Sequence, residues 1–270
     1  MRPRTAAVPL AVLGTVLLGA CSSSPTAAAP PPPPLPSATN SSSAPPSSPS
    51  VAPSTDTSVV TPAPTTTASP TAVGCAPAGS GIPTGASSKP IIDVDGDGRP
   101  DVGWIKGGTN FGITTASGAT FSIPIELAGG GPRSVLVANT DGKGTITALA
   151  SDGRTVELLA VKNCGLFPVT NPEGQHYEFD LGLRGTGTGV GCSQVAGTSG
   201  SSLVGLNVHV DDTGQPLDVQ RTQIVLDGTA ARNGATDSVS ASGNPAAAQS
   251  GRQISCGDLT MTRDGVSERK

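Results

Sequence analysis

The feature that most constrains the fold of this chain is a series of short runs in which apolar residues recur with a period of two. Turns rich in glycine and aspartate separate these runs. The clearest runs occupy residues 145–150, 155–161, 203–210 and 222–226. Of the 36 glycines, 33 lie after residue 74, and short β-type runs closed by Gly and Asp turns are typical of antiparallel sheets. No stretch of this part predicts an amphipathic helix, because even the alanines at 246–248 are flanked by glycine and proline. The pattern predicts an all-β domain over 75–270.

Charge excludes two classes of partner. Charged residues make up 13% of the chain, about half the usual share. Without residues 1–20 the balance is 14 basic against 20 acidic residues, a net charge of −6. A chain without a basic surplus lacks the electrostatic footprint of a nucleic-acid binder, and it is not attracted to an anionic membrane surface. We therefore expect no nucleic acid as partner.

Residues 1–20 have the features of a secretory signal. Arg2 and Arg4 precede an apolar run over 6–18 that is too short to span a bilayer. The segment closes with Leu-Gly-Ala-Cys at 18–21, which resembles the lipobox of bacterial lipoproteins. That resemblance implies that Cys21 is lipidated and becomes the mature N-terminus, on the extracytoplasmic face of the cell membrane. The alternative is an ordinary signal peptide cleaved near residue 20.

Residues 21–74 predict a lipidated Cys21 followed by a disordered linker. Of the 53 residues from 22 to 74, 14 are Pro, 22 are Ser or Thr, and only Asp56 is charged. Such a segment cannot bury enough apolar surface to offset the entropy of ordering. We interpret it as a spacer that lifts the folded domain off the membrane, and its Ser/Thr-Pro content is also typical of O-glycosylated stalks.

Four cysteines in the 75–270 part predict two disulfides. An even number in an exported chain is typical of disulfide pairing, and four cysteines allow three connectivities. No CxxC pair occurs, which disfavours zinc or thioredoxin-like sites. Cys164–Cys192 is the favoured pair, which leaves Cys75–Cys256 by elimination.

The sharpest local motif is Asp-Val-Asp-Gly-Asp-Gly-Arg-Pro-Asp at 93–101. Carboxylates at every second position suit a hard cation that takes six or more oxygen ligands. We expect this loop to bind calcium through four carboxylates and one backbone carbonyl. The carboxylates are those of Asp93, Asp95, Asp97 and Asp101, and the carbonyl is that of Arg99. Position 12 of the loop is Trp104 rather than the Glu of an EF-hand, so the flanks predict strands. A solvated Asp/Gly turn without metal is the alternative.

The stretch 93–105 resembles an FG-GAP or VCBS repeat, in which this loop lies in a hairpin of a propeller blade. Weaker copies follow around Gly142, where Lys143 replaces the middle acid, and around Gly197, where no carboxylate remains. The spacings of 46 and 55 residues between these glycines are blade-sized. The resemblance implies a small or partial β-propeller-like domain of short antiparallel blades, with calcium at the first loop only. An irregular β-sandwich stays open as an alternative.

Other sites are weakly supported by the sequence. The glycine-rich stretch 185–191 lacks the spacing and the helix of a nucleotide-binding loop, so no nucleotide is expected. The two histidines, His176 and His209, lie in no metal or catalytic motif and are interpreted as exposed strand residues. The glutamates available to pair for glycoside hydrolysis are scattered along the chain at Glu126, Glu157, Glu173 and Glu178. Sugar rings commonly stack on exposed Trp or Tyr side chains, and the sequence has only Trp104 and Tyr177. Trp104 is expected in the core rather than on a sugar-binding face.

These observations favour a non-enzymatic protein: a lipid-anchored, disulfide-bonded β module of the bacterial envelope with one structural calcium loop. Its expected partners are the membrane, through the lipid, and an envelope protein or cell-wall glycan. One alternative is an envelope hydrolase whose catalytic residues meet only in the fold. Another is a scaffold that binds nothing beyond calcium.

Overall fold

A computed structural model of the chain describes residues 74–182 and 187–269. The signal segment, Cys21 and nearly all of the linker lie outside these residues. So do residues 185 and 186 of the glycine-rich stretch. In chain order the elements are β1 (Ser87–Ile91), β2 (Asp101–Lys106), β3 (Asn110–Thr114), β4 (Thr120–Pro124), β5 (Ser134–Asn139), β6 (Ile146–Ser151), β7 (Thr155–Lys162), β8 (Gly165–Pro168), β9 (Glu178–Asp180), β10 (Thr188–Ser193), β11 (Ser202–Val210), β12 (Pro216–Asp227), β13 (Ala230–Ser240), α1 (Pro245–Ser250), β14 (Ser255–Cys256), β15 (Leu259–Thr260), α2 (Met261–Asp264) and β16 (Val266–Ser267). The predicted all-β class is confirmed.

Three open antiparallel sheets contain most of the strands. The first sheet has the order β1-β2-β3-β4, and the third has the order β10-β11-β12-β13. The second has the order β16-β5-β6-β7-β8, with β9 also paired to β7. Neighbours in each sheet are mostly consecutive in the chain because short Gly and Asp turns join them. β14 and β15 form a separate two-stranded hairpin.

The second sheet is covered on both faces, so its central strands β5, β6 and β7 are buried at most positions. Val137, Ala148 and Leu159 pack into one cluster with residues of the first sheet such as Phe111. The alternate residues of the same strands pack into a second cluster with residues of the third sheet, whose members include Leu136, Leu149, Leu158, Val190, Leu203 and Ile224. Because successive side chains of a strand point to opposite faces, the second sheet is the middle layer of a stack.

One expectation about helices is wrong. Residues 245–250 form α1 although a proline and a glycine flank the alanines. Pro245 occupies the start of the helix, where its missing N–H costs nothing, and the side chain of Asn244 accepts a hydrogen bond from the Ala247 N–H. The helix covers one end of the third sheet, where Ala248 packs with Val208 and Val219.

The favoured disulfide pairing is also wrong. All four cysteines are paired, but the bonds are Cys75–Cys164 and Cys192–Cys256, with Cα separations of 5.8 and 4.6 Å. Cys164 lies in the β7–β8 turn with a φ of 56°, near the start of the folded chain rather than near β10. Cys192 on β10 meets Cys256 on β14 because the C-terminal segment returns to that edge. The pairing depends on this return, which spacing along the chain does not reveal.

Candidate metal centre

The acidic loop connects β1 to β2 at one end of the first sheet. Gly96 and Gly98 have φ values of 76° and 85°, a region that side chains disfavour, and a Cβ at either would meet no atom within 4 Å. Their conformation, rather than crowding, is therefore the reason for glycine here. The two left-handed turns bring alternate residues of the loop to the same side.

Three of the predicted ligands converge in this loop. One carboxylate oxygen from each of Asp93, Asp95 and Asp101 lies within 4.8 Å of the others. Asp101, the first residue of β2, is only 1% exposed, whereas Asp93 and Asp95 are half-buried. An all-oxygen set of this size and charge is the kind that calcium binds.

Backbone and hydroxyl donors hold the three carboxylates in place. The N–H groups of Gly96 and Gly98 donate to the two oxygens of Asp93 at 2.7 and 2.8 Å. Asp101 accepts from the N–H groups of Val94 and Ala116, both at 2.7 Å. The loop is thus fixed to the β3–β4 turn, which contains Ala116, as well as to itself.

Asp95 connects the loop to the start of the folded chain. Its Oδ2 accepts hydrogen bonds from the Cys75 N–H at 2.8 Å and from the Ser117 hydroxyl at 2.5 Å. A Cβ at Gly74 would lie 2.6 Å from the same oxygen, so only glycine allows this approach. Neither Cys75 nor Ser117 belongs to the motif, and only the folded structure reveals their part in the site.

The electrostatics of the three acids differ. Burial raises the pKa of Asp101 above its usual value, and the nearby carboxylates of Asp95 and Asp93 add to the rise. Burial alone would also raise the pKa of Asp95, but hydrogen bonds from Ser117, Cys75 and Asp97 outweigh it and lower the pKa. A bound cation would favour the ionised form of all three.

The other two predicted ligands face each other instead. The guanidinium of Arg99 donates to Asp97 Oδ2 at 2.7 Å, and the Arg99 N–H donates to Asp97 Oδ1 at 2.8 Å. The Asp97 side chain is therefore not among the oxygens that converge.

The two weaker copies of the loop occupy the same place in their sheets. The glycines Gly96, Gly142 and Gly197 lie in the loops β1–β2, β5–β6 and β10–β11, each with a φ between 69° and 79°. In the first loop the Gly98 N–H donates to the side chain five residues before it, and Gly144 donates in the same way to Asn139, at 3.2 Å. The second loop thus keeps the hydrogen-bonding frame while lacking most of the acids.

A second polar cluster, which the sequence did not predict as a unit, lies where β7 and β9 pair. His176 Nδ1 is 3.2 Å from Glu157 Oε1 and 3.9 Å from Glu126 Oε2. Burial raises the pKa of Glu157, and the charges of Glu126 and Glu178 add to the rise against the opposing effect of His176. Three of the four scattered glutamates and one histidine therefore meet in the fold.

The remaining candidates take structural positions. His209 Nδ1 lies 3.1 Å from Asp218, its neighbour across β11 and β12. Within the described ranges, no serine hydroxyl is hydrogen-bonded to His176 or His209. Trp104 is 3% exposed, which confirms its place in the core, and the Tyr177 hydroxyl donates to Asn233 at 2.5 Å.

Comparisons with models of protein families, with curated proteins and with solved structures found no match. Among the residues that the structure describes, no helix is long and apolar enough to cross a membrane.

Proposed function

We propose that this chain is a lipid-anchored β module of the bacterial envelope, stabilised by one calcium ion. The observation that carries the calcium part is the convergence of carboxylate oxygens from Asp93, Asp95 and Asp101 within 4.8 Å. Three negative charges at this distance repel one another unless a cation lies between them. The ion would be structural, since it ties the loop to the first strands of the domain.

The anchor rests on the sequence. Signal-like residues 1–20 lead into the lipobox-like cysteine at 21, and two or more acyl chains anchor a protein stably in a bilayer. The linker would then separate the folded domain from the membrane, and the domain would contact an envelope protein or a cell-wall glycan.

We extend the proposal to the fold, with the three sheets as blades of a small or partial propeller. Two observations support this reading. The sheets stack face to face, and the loop between the first two consecutive strands of each has a left-handed glycine at the same place. Repetition of one supersecondary unit accounts for both.

Thermal unfolding with and without calcium tests the metal site. For a dissociation constant of about 10⁻⁴–10⁻³ M, 10 mM calcium should stabilise the fold by about 1.4–2.7 kcal/mol. That corresponds to a rise in Tm of about 3–10 °C for a domain of this size. The double variant Asp95→Asn with Asp101→Asn should lose the response. Asp141→Asn is the matched control, because Asp141 takes the place of Asp95 in the second loop, and it should respond as the wild type does.

The outcomes separate cleanly. A wild-type Tm that does not respond to calcium, or an equal loss of response in the Asp141→Asn control, contradicts the site. The anchor has its own test, in which a labelled fatty acid fed to an expressing bacterium should be incorporated into the wild type and not into Cys21→Ser. Equal labelling of both proteins would refute lipidation at Cys21.

A further inference from the structure

The cluster around Glu157 has an unusual buried atom. The Glu157 side chain is 1% exposed, and its Oε2 accepts a hydrogen bond from the Glu126 N–H at 3.1 Å. Its Oε1 is buried and accepts no hydrogen bond, although His176 Nδ1 is only 3.2 Å away. A buried carboxylate oxygen without a donor is costly, and such atoms are rare in folded proteins.

The separation of the two atoms is one that a shared metal ion can span. The N–H of the ring nitrogen, if present, does not reach Glu157 Oε1 in a hydrogen-bonding direction. An ion bonded at about 2.1 Å to both atoms, as zinc is, would lie about 40° off the line that joins them. An N–H directed along such an offset makes only a weak hydrogen bond to the oxygen. A short N···O separation without a hydrogen bond is therefore compatible with a shared metal ion.

The charge around the atom also calls for a cation. Glu178 lies directly opposite Glu157 in the β7–β9 ladder, so the two side chains are on the same face. With Glu126 this makes three carboxylates around one imidazole. Within residues 74–182 and 187–269, no lysine or arginine forms an ion pair with any of the three.

We propose that Glu157, His176 and Glu126 form a binding site for a divalent transition-metal ion of the zinc type. Glu157 Oε1 and His176 Nδ1 are 3.2 Å apart, a separation that allows both to bind one ion. Glu126 Oε2 lies 3.9 Å from His176 Nδ1, and its side chain is 67% exposed, so it can rotate inward. One imidazole and two carboxylates suit zinc, whereas calcium prefers oxygen ligands alone.

On the side of His176 the proposed site borders a cleft from which a fourth ligand could come. A polar cleft of about 670 Å³ is lined by His176 and Glu178, together with Tyr177, Arg232 and Asn233. Three protein ligands with water in the fourth place is the usual arrangement of zinc sites that are not purely structural. The site is separate from the acidic loop, so its test does not depend on the calcium proposal.

Equilibrium dialysis of the full chain against zinc chloride, with 10 mM calcium chloride present throughout to occupy the acidic loop, tests the site. The wild type should bind one zinc ion. His176→Ala and Glu157→Gln should each weaken binding by at least about tenfold, the loss seen even when an outer partner of a metal ligand is removed. His209→Ala is the matched control, because His209 also faces a carboxylate at 3.1 Å, and it should bind zinc as the wild type does.

Glu157→Gln also separates a metal-binding role from a structural one. Glutamine keeps an oxygen to accept from the Glu126 N–H and removes the buried charge. In EDTA the variant should therefore be at least as resistant to urea as the wild type while still failing to bind zinc. X-ray absorption of the zinc-loaded wild type should show a single imidazole with oxygen ligands.

Three results would overturn the proposal. The first is no detectable zinc binding by the wild type at a free zinc concentration of about 0.1 mM. The second is an equal effect of His176→Ala and His209→Ala, which would indicate adventitious binding to surface imidazoles. The third is unchanged zinc affinity in a folded Glu157→Gln variant.

Discussion

Gly112 makes room for the only tryptophan of the chain, and adding one methyl group there should destabilise the fold. Trp104 on β2 lies directly across from Gly112 on β3. A Cβ at position 112 would be 2.6 Å from Cη2 of the indole and closer still to two other ring atoms. Carbon atoms pack at about 3.5–4.0 Å and the nearest ring atom would be only 2.1 Å away, so the ring or the strand must move by at least about 1.4 Å. The ring is 3% exposed, and its N–H donates to Thr114 Oγ1 at 3.2 Å, so it has little freedom to do so.

Overpacking of this kind costs about 1–3 kcal/mol. For a domain of the size of the described part of the chain, Gly112→Ala should lower Tm by about 2–12 °C. The emission of Trp104 should shift as well, because the ring leaves its buried position. Gly130→Ala is the control, since a Cβ there meets no atom within 4 Å, and its Tm should stay close to that of the wild type.

A double-variant cycle identifies the cause. If Gly112→Ala acts through the indole, its cost should fall when Trp104 is first replaced by leucine, as measured by urea unfolding followed by circular dichroism. Equal Tm values for Gly112→Ala and Gly130→Ala would refute the reasoning. An undiminished cost in the Trp104→Leu background would show that the strand backbone, not the ring, limits the space.

Two further predictions concern the disulfides and the acid response. Peptide mapping without reductant should recover the pairs Cys75–Cys164 and Cys192–Cys256, and a peptide joining Cys164 to Cys192 would contradict this. The two bonds close loops with separations of 89 and 64 residues. In the chain-entropy model each bond should therefore contribute up to about 4–5 kcal/mol to the free energy of unfolding. Burial alone would raise the pKa of Asp152, but three backbone N–H groups and Arg133 lower it below 3.8, so its stabilising effect is complete above that value and is lost as pH falls through the lowered pKa. Asp152→Asn should therefore destabilise the protein at pH 7 by about 1–3 kcal/mol and flatten the acid side of the stability curve measured in urea; parallel curves for both proteins would contradict it.

The sequence predicts the strands well where alternation and burial agree. The expected runs at 155–161 and 203–210 correspond closely to β7 and β11. β13 was not predicted, because it is a largely exposed strand whose 11 residues include few apolar side chains. Alternation of apolar and polar residues arises where one face of a strand is buried. A strand that is exposed over most of its length lacks this pattern.

The candidate sites show the same division between local and long-range information. Asp93, Asp95 and Asp101 are close in the chain, so their convergence follows from the loop itself and its two glycines. The grouping of Glu126, Glu157 and His176 depends on the β7–β9 pairing and on where the chain passes after β4. Glu157 follows Glu126 by 31 positions, and His176 follows Glu157 by 19. No spacing rule connects residues so far apart in a β protein, so the sequence did not predict that they would meet.

If the chain is anchored at Cys21 as proposed, the bond between Cys75 and Cys164 would keep the acidic loop intact when the linker is pulled. The chain enters the described structure at Gly74, beside Asp95, and a pull on the linker would reach Cys75 first. The hydrogen bond from Cys75 to Asp95 contributes on the order of 1.5–3 kcal/mol, too little to resist such a pull by itself. The disulfide would transfer it instead to the β7–β8 turn, which follows β7, a strand buried on both faces. In the proposed anchored protein, the loop would therefore use the start of the domain as a hydrogen-bond donor without bearing the load on the linker.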